Sequence, residues 1–345
     1  MSLRRRQAGA TELRILVTPN FNLAATMNVI DPFRVSNYLE GKTLFRWRFI
    51  SEAGGLVVAS NGTGIETEIA DTGDVAQSDF VLVSSSWEPE AHATPAIRSV
   101  LREAARNGAS LGGLDTGAFV LAYAGLLAGY RATVHYEHMD AFQELFPDTD
   151  LSDALWEFDR RRMTCCGGAA SLEFALHIIK ELHGSALANS AARYIFAPAL
   201  RGHDVRQSPV ADPLGHTVPE SVRSAIRVME DNLEIPLPIS ELCTRVGLSH
   251  RQLNRVFALH VRKTPALYYR DIRLDRARGL VTQTGLSMSE IAVASGFSSQ
   301  VHFSRAYRDR FGLAPSKDRS EGRVPFEFRA WPMHRAPSGA AKIIK

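Results

Sequence analysis

Two stretches in the last third of the chain can be laid over one another: "PISELCTRVGLSHRQLNRVF" (238–257) and "SMSEIAVASGFSSQVHFSRAY" (287–307). Each predicts a helix, Ile239–Val246 in the first and Met288–Ser295 in the second. A glycine follows (Gly247; Gly296), then a hydrophobe (Leu248; Phe297) and a serine (Ser249; Ser298) placed to cap a second helix. Glycine enters the left-handed conformation at a helix end without a Cβ penalty, so two helices can turn abruptly there. The inward positions also match: Leu242 with Ile291, Leu253 with Phe303, Phe257 with Tyr307. This is the helix-turn-helix pattern. Any helical hairpin with a glycine turn mimics one copy, but two copies in tandem are a far tighter constraint. Between them, "TPALYYRDIRLDRARGLVTQT" predicts a long helix with Leu267, Ile272, Leu274 and Leu280 as buried positions. Such a spacer can offer two recognition helices to successive major grooves, about 34 Å apart on one face of DNA.

Charge supports an anionic partner for this region. Pro219 to Ser320 carries 16 Lys+Arg against 10 Asp+Glu, a net +6, whereas the rest of the chain is slightly acidic within a total of +3. At 345 residues the chain has room for two cores. No apolar run reaches the roughly 18 residues that span a bilayer. The start "MSLRRRQAGATELRILV" lacks a small-residue cleavage site, so no signal peptide and no membrane partner are expected. Three cysteines, Cys165, Cys166 and Cys243, cannot build a disulfide framework, and a reducing cytoplasm is the expected location.

Upstream, strands and helices alternate. "LRILVT" (13–18), "FRWRFISEAGG", "DFVLVSSSW" and "ASLGGL" read as strands; "DPFRVSNYLEG", "PAIRSVLREAARNG" and "SLEFALHIIKELHG" read as helices. The expected fold class is an α/β doubly wound parallel-sheet sensor domain followed by an all-α double helix-turn-helix DNA-binding domain. The α/β part is expected over 1–205. A proline-rich linker follows over 206–218, the helical part over 219–320, and a partly disordered tail over 321–345. In "GASLGGLDTGAFVLAYAGLLAG" (108–129) a buried strand turns sharply into a helix with Asp115 at the corner, where many α/β enzymes hold a nucleophile.

Over about 100 residues, through "GFSSQVHFSRAYRDRFGLAPSKDR", the chain resembles the AraC/XylS family of bacterial transcription regulators. The resemblance implies that Arg251, Asn254 and Arg255 face DNA on the first recognition helix, and Gln300, Ser304 and Arg305 on the second. Arg suits guanine, Asn and Gln suit adenine, and any of them can hold phosphate instead. For Arg255 and Arg305 a structural ion pair is the competing role. One departure is "VRKTP" (261–265), which has Arg262 where the second copy, "FGLAP", has glycine.

The first 200 residues resemble the class I glutamine amidotransferase and PfpI-type superfamily, and more closely its sensor version fused to AraC-type domains. "SNGTGIETE", "RATVHYEH", "LFPD", "GGAASLEFALHII" and the Asp115 corner carry the likeness. In the enzymes the corner holds cysteine. Here it holds Asp115 followed by Thr116, so thiolate chemistry has no place there. Cys165 and Cys166 read as packing residues. His135 and His138, three apart with no third ligand, read as structural, so neither a metal nor a cofactor is expected.

The corner then makes sense as a binding pedestal. Helical N–H groups would keep Asp115 ionised, and Thr116, Trp87, Tyr136 and His135 complete the expected ligand set, with Trp156 in the core; the competing roles are an internal cap of the elbow without ligand contact for Asp115 and a core position for Trp87. An anion beside aromatic faces suits a quaternary amine, betaine or amino acid. The whole chain thus reads as a one-component regulator binding operator DNA and a small-molecule effector. The resemblance further implies a homodimer that activates a catabolic operon together with RNA polymerase. Two rivals are an amidase or peptidase-like enzyme with an appended DNA-binding domain, and an architectural DNA-binding protein whose first domain only dimerises.

Overall fold

The computed structural model describes residues 9–197, 201, 205–207 and 218–321. Most of the expected linker and the tail over 322–345 lie outside them. The first compact unit runs from β1 (Thr11–Val17) through α1 (Leu23–Glu40), β2 (Phe45–Ser51), β3 (Gly55–Val58), β4 (Gly64–Ile69), α2 (Thr72–Val75) and β5 (Phe80–Ser85). It continues with α3 (Pro89–His92), α4 (Pro95–Arg106), β6 (Ser110–Asp115), α5 (Gly117–Tyr123), β7 (Arg131–Ala132), α6 (Met139–Leu145) and β8 (Asp150–Leu151). β9 (Trp156–Asp159), β10 (Arg162–Cys165), α7 (Ala170–His183) and α8 (Ser185–Tyr194) complete it.

The main sheet has the order β3-β4-β2-β1-β5-β6-β10-β9. Its inner neighbours are parallel, and only the edge strands β3 and β9 run antiparallel. Every residue of β5 and of β6 is buried, as expected of parallel strands covered on both faces. Side chains alternate between two cores. Leu13, Ile15, Val17 and Leu82 pack beneath α1 and α7; Leu16, Val81 and Val83 pack beneath α4 and α5. The expected doubly wound sheet is therefore present.

Helix α1 corrects one boundary. "DPFRVSNYLEG" suggested a start at Asp31, because proline favours the first turn of a helix. The helix begins eight residues earlier, capped by Asn22, and carries Pro32 in its interior. There the Pro32 carbonyl accepts the Ser36 hydroxyl. Residues 206 and 207, read as the start of the linker, bond to the first unit: Arg206 bridges Ala154, and the Gln207 amide donates to Thr133, Val134 and Ala154.

The second unit contains α9 (Glu220–Glu230), α10 (Ile239–Val246), α11 (His250–His260), α12 (Pro265–Gln283), α13 (Met288–Ala294), α14 (Gln300–Phe311) and α15 (Pro315–Glu321). It holds two small cores. Leu242, Leu253 and Phe257 belong to the first; Ile291, Phe303 and Tyr307 belong to the second; all six are fully buried. Helix α12, about 28 Å long at 1.5 Å per residue, serves both, with Tyr269 in one and Leu274 and Leu280 in the other. Leu267 departs from expectation: it sits in the first turn of α12 and is 38% exposed. Ser249 caps α11 as expected, but α14 is capped by Ser299 rather than Ser298, because the extra residue after the second turn shifts the helix start by one.

The two motifs are fastened to one another. Asp271 on α12, nearly buried, accepts from Lys263 at 2.6 Å and pairs with Arg310 at 3.0 Å. Gly296, in the second turn, lies so close to the loop after α9 that a Cβ there would meet the Leu233 oxygen at 2.5 Å. Among the described residues no helix is long and apolar enough to cross a membrane.

Candidate functional site

Helices α11 and α14 are the recognition helices of the two motifs. Their burial runs are identical from 251 to 260 and from 301 to 310, so each pair of residues 50 apart has the same environment. Leu253 and Phe303, with Phe257 and Tyr307, anchor the inner face. Arg251, Arg255 and Arg305 stand exposed on the outer face, and no ion pair to any of them forms among the described residues. That disfavours the structural ion-pair role for Arg255 and Arg305. Asn254 and Ser304 are half-buried, and Asn254 donates to the His250 carbonyl. The Gln300 carbonyl oxygen accepts from Ser289 at 2.7 Å, and its exposed amide group donates to no partner among the described residues. Of the residues expected to face DNA, Arg251, Arg255, Gln300 and Arg305 are exposed, while Asn254 and Ser304 are half-buried.

In the first unit, the Asp115 corner is made by space rather than by a cap. Asp115 ends β6 at φ 60° and is 5% exposed. Helix α5 folds back at once because Gly113 and Gly117 have no side chain. A Cβ at 113 would lie 2.5 Å from the Ala118 nitrogen, and one at 117 would lie 2.1 Å from the Val83 oxygen. The Asp115 carboxylate accepts from Asn22 Nδ2 at 2.9 Å. Asn22 is itself oriented by accepting the Ala25 N–H as the cap of α1. Gly167 presses against the other side, where a Cβ would be 3.0 Å from that of Asp115.

A pocket of about 210 Å³ opens beside this corner, lined by Asn22, His135, Tyr136, Gly167, Arg201 and Gln207 among others. Asp115 lies directly behind Asn22 and Gly167. His135 and Tyr136 line the pocket as expected. Three others do not: Asp115 itself is not part of the lining, Trp87 is half-buried after β5 and outside it, and Thr116 is fully buried with its hydroxyl donated to the Ser86 carbonyl. Thr116 is a prop of the corner, not a ligand contact. Trp156 is in the core, its ring tilted against that of His177 with centroids 4.6 Å apart.

Asp115 is mostly ionised at neutral pH but is a weaker acid than an ordinary aspartate. Burial pushes its pKa up to about 6, and this outweighs the opposing pull of His135 and of the Asn22 hydrogen bond. The thiols offer no substitute nucleophile. Cys165 and Cys166 are buried, and the Cys166 thiol is pushed up by its bond to Cys165, then by burial, with the nearby Asp115 charge adding to the effect. Among the described residues no group of three or more His, Cys, Asp or Glu is arranged to hold a metal ion.

Sequence reasoning missed Asn22, Arg201 and Gln207. Asn22 was within reach as an N-cap residue; Arg201, paired with Glu173 at 2.8 Å, and Gln207 sit in segments with no local signal.

Comparison with known proteins agrees with this geometry. Residues 242–321 match a family model described as a helix-turn-helix domain. The HTH-type transcriptional regulator CdhR of Pseudomonas aeruginosa is 38% identical over 325 residues, covering 94% of this chain and 95% of that protein. GbdR of the same species, also an HTH-type transcriptional regulator, is 37% identical over 305 residues, covering 88% and 83%. A crystal structure of an AraC family transcriptional regulator from Pseudomonas putida is similar in fold, with a TM-score of 0.50 at 23% identity over 54% of this chain and 99% of that one. The chain belongs to the AraC-type family of helix-turn-helix transcriptional regulators, and double-stranded DNA is its partner.

Proposed function

We propose that the first unit is a sensor that binds a small cationic metabolite, an amine, betaine or amino acid, at the Asp115 corner. A buried carboxylate beside a pocket, with one side-chain donor and a pKa near 6, carries this reading. Burying a charge costs free energy unless a partner compensates it. A ligand ammonium between Asn22, His135 and the Tyr136 ring would supply that partner, and the aromatic face adds cation–π attraction. Binding then shifts the second unit between states of different DNA affinity; a coupling of about 1–3 kcal/mol is ordinary for such regulators. In this reading the protein is a cytoplasmic homodimer that activates a catabolic operon with RNA polymerase, and it is not an enzyme.

Asp115→Asn tests it. The folded-state pKa of about 6 lies above the ordinary 3.8, so the folded chain holds the proton more tightly. Stability therefore falls as pH rises from about 4 to 6 and is level above that. The variant should lose this slope and gain at most about 3 kcal/mol at pH 8, read by urea denaturation. It should also lose thermal stabilisation by glycine betaine and small amines, while keeping its affinity for operator DNA. Undiminished stabilisation by these compounds in the variant would defeat the reading.

A further inference from the structure

We propose that the first unit contains a second small-molecule site, a cleft of about 570 Å³ at the carboxyl ends of β1 and β2, which takes an amine with an apolar body. Carboxyl ends of parallel strands are where open α/β sheets hold ligands. The cleft is more than twice the size of the pocket at Asp115 and within the range of small-molecule sites. Leu16 and Val17 from β1, Val57 and Val58 from β3, and Ile97 from α4 form apolar walls.

The polar groups lie at one end. Glu52 offers a carboxylate; one of its oxygens accepts the Thr94 hydroxyl at 2.7 Å, and the other takes no bond among the described residues. His92 faces the same space, and burial lowers its pKa, so at neutral pH the ring is uncharged. The lining has a carboxylate and no lysine or arginine. That set favours a cationic head and refuses an anionic one.

The cleft and the Asp115 pocket are joined by one short segment. Asn20, at φ 60°, lines the cleft, and Asn22, two residues on, lines the pocket and donates to Asp115. Thr18, also in the cleft wall, donates to Ser85, the residue that pairs with Asp115 across the sheet. A ligand in the cleft therefore leans on the segment that sets the Asp115 hydrogen bond, so the two sites have a physical route for coupling.

This proposal does not depend on the corner reading, and the test separates them. Calorimetry and thermal shift on the full-length Asp115→Asn protein, whose corner lacks its charge, would use phenethylamine, 2-phenylethanol and phenylacetate. The expected result is saturable binding of one phenethylamine per chain, with phenylacetate at least tenfold weaker. Adding Glu52→Gln, an exposed position that leaves the core intact, should weaken phenethylamine about tenfold and leave 2-phenylethanol within twofold. Loss of phenethylamine binding on Asp115→Asn alone would overturn the cleft site and place the amine in the corner. So would equal binding of the amine and the carboxylate, or an affinity indifferent to Glu52→Gln.

Discussion

The two helix-turn-helix motifs use one frame to hold different chemistry. Residues 251–260 and 301–310 have the same sequence of buried and exposed positions, yet the outward ones differ: exposed Arg251 stands where Val301 stands, half-buried Asn254 where Ser304 stands, and among the exposed positions only Arg255 and Arg305 agree. Val301 is 76% exposed, a methyl-bearing side chain on a face otherwise suited to hydrogen bonding. Inward residues fix where a recognition helix lies, and outward residues fix what it reads. A frame kept in both copies, with the outward residues changed, presents two faces of unlike chemistry: arginine at 251 suits guanine or phosphate, valine at 301 suits a thymine methyl.

The largest test concerns the turns. Gly247 and Gly296 both adopt φ near 70°, but a Cβ at 247 meets nothing within 4 Å, whereas one at 296 would strike the Leu233 oxygen and the Pro236 ring. Alanine at 247 should cost about 1 kcal/mol through the left-handed backbone alone. Alanine at 296 should cost about 3 kcal/mol, because overpacking is added. Equal costs in urea denaturation would show that the second turn is not wedged against the first motif.

Base reading comes next. Arg251→Ala should relax the preference for one base pair by about 1–3 kcal/mol in a site-selection experiment. Uniform weakening on every sequence would make Arg251 a phosphate contact. Val301→Ser should lose about 1 kcal/mol on a thymine-containing site and nothing when that thymine is replaced by uracil.

The smallest effect sharpens the comparison of the motif ends. Arg262 and Gly312 occupy matching positions, and both have positive φ, 58° and 75°. Arginine there is strained where glycine is not, so Arg262→Gly should raise the melting midpoint by the equivalent of about 0.5–1 kcal/mol. No gain would mean that Arg262 is held by contacts that offset its backbone.

Which features could be read from sequence follows from how local each one is. The paired motifs were legible because glycine, cap and apolar spacing lie within about twenty residues, and they even pointed to Arg262 as the odd residue at its turn. Local signals also misled in small ways: Ser298 and Ser299 are equally good caps, and Pro32 imitates a helix start. The corner was legible as a turn and illegible as an environment. What buries Asp115 comes from Asn22, His135 and Gly167, which are far apart in the chain, so no pattern around residue 115 reports its proton affinity. Likewise Thr116 was placed beside a ligand because it follows Asp115 and Trp87 because it follows a strand end, but the Thr116 hydroxyl turns inward to Ser86 and Trp87 lies outside the pocket lining.

Asp271 has a consequence for the genome rather than for the protein. Bonded to Lys263 on one side and Arg310 on the other, it ties the second recognition helix to the helix that serves both motifs. Two readers joined in this way are sensitive to phase as well as to sequence. Sliding the half-sites apart by about 5 base pairs, half of a helical turn, would put one of them on the far side of the duplex. Promoters served by this protein should therefore tolerate altered letters more readily than altered intervals.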